Sequence, residues 1–216
     1  GKGLTTGTNS TFVGYQSGKV ATGGGNTGHG AYSLYNNTTG GNNTAVGSQA
    51  SQNLTIASNN VSVGHASGYS ITTGSNNISI GKYTQFYQQT GQHNVAIGSN
   101  SMQGSSNYNG SSCIAIGSNT LFDFTGEGTG TIAIGHASLS NLTSGAGNTV
   151  IGYQAGMSIT TGHENVALGF RSGNNINTGD SHVLIGYASG TTLTNGRRCT
   201  IIGDESDVSA SGALNQ

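Results

Sequence analysis

The sequence predicts an all-β chain, a parallel β-solenoid or β-roll of about twelve coils of about 17 residues, filling 1–216 as a single repeat domain. Three observations predict it. A motif ending in glycine returns along the whole chain, and β-branched side chains stand at fixed places before that glycine. The composition is also far from that of a mixed globular core, with 39 Gly, no Pro and 6% charged residues.

The repeat decides the architecture, because self-similarity at a fixed period marks a stacked fold. The glycine falls at Gly14, Gly30, Gly47, Gly64, Gly81, Gly98, Gly117, Gly135, Gly152, Gly169, Gly186 and Gly203, at spacings of 16 to 19 residues and mostly 17. Such a unit is too short for a propeller blade or a helix pair. It suits one coil of a thin solenoid whose strands pair with the next coil at about 4.8 Å, so twelve coils make a rod on the order of 55 to 60 Å long.

Stacking the units gives columns. Three residues before the glycine stands Thr, Val or Ile in every unit, and one before it Val, Ile or Leu, except at His29. Both preferences are those of a pleated strand, and the two columns share a face because side chains alternate. They are expected to look into one core. The column between them is mostly small, as at Ala45, Ser62, Ser79, Ala96, Ala115, Ala133 and Ala167, and is expected on the opposite face. With both faces apolar or small, the strand reads as buried on both sides.

Three residues after the glycine every unit has Ser, Thr or Ala, for example Ser17, Ala50, Thr84 and Ser189, which fits a tight turn. Seven after it, Leu54, Ile71, Leu142, Ile159, Ile176 and Leu193 mark a second apolar position that leads into turns such as Thr72-Thr73-Gly74 and Thr160-Thr161-Gly162. The unit is therefore expected to run strand, turn, strand, turn.

Four residues before the glycine stands a column of Asn, interrupted at Cys113, Thr131, His182 and Cys199. Asn tolerates unusual backbone angles, and stacked amides form hydrogen-bonded ladders. The structural repeat thus includes Asn26, Asn43 with Gly47, Asn60 with Gly64, Asn77 with Gly81, Asn94 with Gly98, Asn148 with Gly152 and Asn165 with Gly169.

The Asn-x-Ala-Ile-Gly motif of Asn94 to Gly98, with Tyr153-Gln154-Ala155-Gly156 and the Thr-Thr-Gly elements, resembles the head repeats of trimeric autotransporter adhesins. It is also similar to repeats of phage tail-fibre proteins, and the likeness covers nearly the entire chain. The resemblance implies left-handed rolls that associate in threes, a structural role, an extracellular place on a virion tail fibre or cell surface, and a host receptor or glycan as partner. The unit here is longer than the adhesin head repeat and brings no coiled-coil stalk or anchor, which favours the tail-fibre branch. Thr5-Thr6-Gly7 looks like the end of a preceding coil and Leu214-Asn215-Gln216 like the start of another, so the chain reads as a cut from a longer fibre.

Composition narrows the function classes. A net charge of -1 supplies no basic footprint for nucleic acid, and no apolar run approaches the roughly 18 residues of a membrane span. No enzyme activity, cofactor or metal is expected. The six His do not cluster in metal-ligand spacing, and the Gly-Gly-x-Gly-x-Asp calcium repeat is missing. Gly23-Gly24-Gly25 has no strand-to-helix context for a phosphate and reads as a turn. Asp123 with Glu127 is a pair of carboxylates in an irregular stretch, read as a solvated loop rather than a glycosidase pair. Cys113 and Cys199 share one column five coils apart, roughly 24 Å, so they are expected as buried thiols and not as a disulfide.

The candidate contact residues are aromatic. Two long spacings place extra residues at 102–112 and 121–130, which are expected to carry Tyr108, Phe122 and Phe124 out of the stack toward a partner. Tyr153, Phe170 and Tyr187 follow the glycine on successive coils, where they either present faces to a sugar or stack on one another. The expected function is a passive, self-associating fibre module that contacts a host surface. The alternatives are an ice-binding solenoid, suggested by the Thr-Thr-Gly turns, and a polysaccharide-cleaving tailspike, suggested by Asp204, Glu205 and Asp207.

Overall fold

A computed structural model describes residues 7–126 and 128–207. It contains twelve three-residue strands: β1 (Thr11–Val13), β2 (Thr27–His29), β3 (Thr44–Val46), β4 (Val61–Val63), β5 (Ile78–Ile80), β6 (Val95–Ile97), β7 (Ile114–Ile116), β8 (Ile132–Ile134), β9 (Thr149–Ile151), β10 (Val166–Leu168), β11 (Val183–Ile185) and β12 (Thr200–Ile202). All lie in one parallel sheet in chain order. Each column pairs with itself, so that Val95, Ala96 and Ile97 face Ile114, Ala115 and Ile116. The chain is a β-solenoid, and at about 4.8 Å per strand its sheet is about 50 to 55 Å long. Thr5, Thr6 and Leu214 to Gln216 lie outside the described residues.

The strands face the opposite way from the expectation. The small middle column points inward: Ala45, Ser62, Ser79, Ala96, Ala115, Ala133 and Ala167 are all fully buried. The branched columns on either side point outward and are half-buried to exposed from β1 to β12. The reason is the thinness of the coil. Opposite most strands the interior is already filled from the turn, by Leu34, Met102, Leu121 and Leu139 four residues after the glycine and by Leu54, Ile71, Ile159 and Ile176 seven after it. Little volume remains beneath the strand, and Ala or Ser fits it.

The two inner positions trade volume. Phe12 in β1 is answered by Gly18 four residues past the repeat glycine, and Val150 in β9 by Gly156, where an added Cβ would come 3.3 Å from Val150 Cγ1. Where the strand supplies only Ala96, Ala115 or Ala133, the turn supplies Met102, Leu121 or Leu139, all fully buried. Those turn residues hold φ near +48° or +49°, a left-handed conformation that costs a non-glycine residue roughly 1–2 kcal/mol. Burying a large aliphatic side chain there, about 1.5–3 kcal/mol, offsets the cost.

A second strand in each coil does not form. Leu54, Ile71, Leu142, Ile159, Ile176 and Leu193 are buried as expected, but they sit in turns. Pairing in the return half of the coil is limited to the isolated bridges Gln88 with Tyr108 and Asp180 with Arg197 among the described residues. Backbone bonds between coils still run through this half, as from Thr38 N–H to Thr55 O (2.8 Å), Thr55 N–H to Thr72 O (3.0 Å) and Thr143 N–H to Thr160 O (2.8 Å), and side chains add to them. Thr38 Oγ1 donates to Thr55 O (3.0 Å), Thr55 Oγ1 to Thr72 O (3.0 Å), and Thr143 Oγ1 to Thr160 O (3.0 Å), each one coil along. The turn column after the glycine is buried as its small size implied, with Ser67 Oγ and Thr84 Oγ1 2.8 Å apart on neighbouring coils.

The asparagines form a ladder, although they are not the residues with unusual backbone angles. The left-handed residue is the preceding one, Asn42 (φ 58°), Asn59 (φ 60°), Asn76 (φ 61°) or Glu164 (φ 56°). The ladder Asn itself is buried and uses its side chain twice. Asn60 Oδ1 accepts from Asn77 N–H (2.9 Å) one coil on, and Asn60 Nδ2 donates to Gly74 O (3.0 Å) across the coil. One such run extends from Asn26 through Asn43, Asn60, Asn77 and Asn94 to Cys113 N–H. A second extends from Asn148 through Asn165 to His182 and Cys199. Between them stands Thr131, whose buried hydroxyl is without a hydrogen-bond partner.

Candidate functional site

The surface of the solenoid divides into three strips. The first is the outer face of the sheet. One column runs Val46, Val63, Ile80, Ile97, Ile116, Ile134, Ile151, Leu168 and Ile185 without a polar side chain, and beside it run Val61, Ile78, Val95, Ile114 and Ile132. At strand spacing this aliphatic strip is about 40 Å long, and from β4 to β8 it is two side chains wide. Beyond that run in the same column, Val13 is 51% and Ile202 66% exposed. Folded chains that remain single rarely expose so long a contiguous apolar surface.

The second strip is the edge that follows the repeat glycine. Apart from Phe12, Tyr108 and Phe124, every Tyr and Phe of the sequence stands one to six residues after that glycine, and so on this edge. Tyr153, Phe170 and Tyr187 are 42%, 39% and 50% exposed and form a stacked ladder. Their ring centroids are 5.1 and 5.2 Å apart with interplanar angles of 8° and 7°, and His136 extends the ladder at 5.4 Å from Tyr153. Ring faces inside the ladder are therefore occupied by neighbouring rings, and edges and hydroxyls are what face solvent. Arg171 lies 5.4 Å over the Phe170 ring.

Sequence reasoning missed a denser group on the same edge. Tyr69 stacks on Phe86 at 4.9 Å, Tyr83 and Tyr87 meet Phe86 edge-on at 5.3 and 4.8 Å, and His65 meets Tyr83 at 5.3 Å. Lys82 Nζ sits 4.8 Å over Tyr83, and Lys19 Nζ donates to Tyr35 OH at 2.8 Å. The signal was available, since Tyr35, Tyr69, Phe86 and Phe122 all fall five residues after their glycines.

Of the three aromatic residues expected to protrude from the irregular coils, only Phe122 reaches the surface, half-buried in that column. Tyr108 and Phe124 are interior, packed edge-to-face at 5.5 Å, with Tyr108 OH donating to Met102 O. Phe124 stands seven after Gly117 and so occupies the apolar inner column of Leu54 and Ile71. The added residues widen two coils inward to hold two aromatic rings instead of extruding a loop. Burial pushes the Tyr108 hydroxyl well above its ordinary pKa.

The third strip, the return edge, carries Thr, Asn, Ser and Gly and the carboxylates Glu164 and Asp180. Asp180 binds His163 N–H (2.9 Å) and Arg197 Nε (3.1 Å). Asp207, by contrast, takes Thr192 N–H (2.6 Å) and Thr192 Oγ1 (2.7 Å). Asp123 is half-buried, and Glu127 lies outside the described residues. The Thr hydroxyls of Thr72 and Thr160 donate to the carbonyls of Gln89 and Asn177, both at 3.2 Å, so their donors are committed within the rod. Gly23 to Gly25 form a bend, as expected. Cys113 and Cys199 are buried reduced thiols, each with its pKa raised by burial.

His182 replaces Asn in the second ladder. Its Nδ1 accepts from Cys199 N–H at 3.1 Å, which fixes the neutral tautomer with the proton on Nε2. Burial lowers its pKa, opposed by the Gly196 carbonyl and by Asp180. Among the described residues no three His, Cys, Asp or Glu side chains group to hold a metal ion, and no helix is long and apolar enough to cross a membrane.

The fold and its surfaces define a class: a one-sheet parallel β-solenoid with an open aliphatic face and an aromatic edge. Comparison with family models, with curated proteins and with solved structures gives no match for this chain.

Proposed function

We propose that the chain is a structural module of an extracellular fibre, a phage tail fibre or a cell-surface adhesin, and that three copies associate through the aliphatic faces of their sheets. The observation that carries this reading is the unbroken outer column from Val46 to Ile185. Water meets a strip of branched aliphatic side chains there, and burying it against other copies is the simplest relief. Parallel association in register sets identical columns against one another and leaves the post-glycine edge outside. Tyr153, Phe170, Tyr187 and Phe122 on that edge are the surface offered to a host receptor or glycan.

Two charges at the centre of the strip test the proposal. The double substitution Ile97→Asp with Ile116→Asp leaves the inner columns untouched, and the expected result is a folded monomer by circular dichroism and light scattering, beside an associated parent. A double variant that stays associated contradicts it. The ice-binding reading draws less support, because the Thr hydroxyls of the return edge are spent on the next coil.

A further inference from the structure

We infer that Asn109 is a site of spontaneous backbone modification, in which its side chain cyclises onto the nitrogen of Gly110. Asn is followed by Gly at two places, Asn109-Gly110 and Asn195-Gly196, and a following Gly leaves the attacking nitrogen unshielded by a Cβ. The two places differ in structure. Asn195 Oδ1 accepts from Thr178 Oγ1 at 3.0 Å, which holds that side chain one coil away. Asn109 is exposed, its amide makes no hydrogen bond, and Gly110 N–H has no acceptor. Gly196 N–H has no acceptor either, so what sets Asn109 apart is its unengaged side-chain amide.

The reaction balances without an oxidant or partner. Solvent base removes the Gly110 N–H proton, the nitrogen bonds to Asn109 Cγ, and the side-chain nitrogen leaves as ammonia, closing a five-membered imide. Water then opens the ring at either carbonyl to give Asp or isoaspartate. The fold keeps this pair in place: a Cβ at Gly110 would lie 2.8 Å from Phe124 Cζ and 2.9 Å from Gly128 O, so packing of the widened coil demands the glycine that makes Asn109 labile. Isoaspartate also adds a main-chain carbon just before Gly110, whose carbonyl accepts from Asn94 Nδ2 at 2.8 Å at the end of the first ladder.

The test is incubation of the folded chain at mildly alkaline pH, with peptide mapping by mass spectrometry and a parallel sample unfolded in urea. The expected result is the mass gain of amide-to-acid conversion at Asn109 well ahead of Asn195 in the folded chain, equal conversion at the two in urea, and no conversion in this segment for Asn109→Gln. Circular dichroism of the folded sample confirms that it stays folded. An intact Asn109, or the same ratio between the two sites folded and unfolded, overturns the inference.

Discussion

A Cβ placed on Gly173 would lie 2.7 Å from Cδ1 of Leu184, so the leucine of β11 occupies the space that the turn before it leaves empty. Gly190, in the following turn, yields to the same side chain, at 2.9 Å from Cδ2. One inner slot per coil is filled from the strand or from the turn, and rarely from both. Gly173→Ala should cost about 1–3 kcal/mol through overpacking and its positive φ, and Leu184→Ala about 2–5 kcal/mol through the cavity left behind. The double variant should cost less than the sum, by at least about 0.5 kcal/mol, in urea unfolding. Gly130→Ala is the control: its φ is +66° with no atom within 4 Å of an added Cβ, so only the backbone term of about 1 kcal/mol is expected.

The ladder predicts a different pattern. Asn60→Ala removes the acceptor of Asn77 N–H and the donor to Gly74 O, both inside the coil. Each group left without a partner costs roughly 1–3 kcal/mol, so the loss should exceed that of truncating an exposed Asn such as Asn141. Thermal melts of the two variants check the difference.

His182 makes stability depend on pH. Its folded pKa lies below the ordinary 6.5, so the unfolded chain binds the proton more readily. The contribution is therefore complete above about pH 6.5 and is lost as pH falls below it toward the folded pKa. His182→Asn should flatten the midpoint temperature over that window, because Asn supplies the acceptor for Cys199 N–H without titrating.

The thiols should report burial. Cys113 is fully buried and Cys199 nearly so, and burial raises both pKa values. Neither should react with a thiol reagent in the folded chain near neutral pH, and both should react after unfolding. Rapid labelling of Cys113 without unfolding would contradict its place in the ladder column.

Much of the rod was legible in the sequence because it rests on local periodicity. The glycine at each strand end, the three-residue strand and the buried Ser, Thr or Ala of the next turn each follow from a column read on its own. The facing of the strand did not. Val95 and Ile97 carry an apolar signal as strong as any core strand, and only the relation between columns, Ala96 set against Met102 or Val150 against Gly156, shows which face has room. The aromatic residues divided for the same reason. Phe124 was legible as interior by its distance from Gly117, whereas Tyr108 sits in an insertion that has no column to compare.

The mass of the chain in solution, by light scattering behind a sizing column, tests the central claim most directly, since the proposed association buries the outer aliphatic face. A species of three times 21.6 kDa is the predicted result. A stable monomer at working concentration would contradict it, by showing that the strip from Val46 to Ile185 tolerates water.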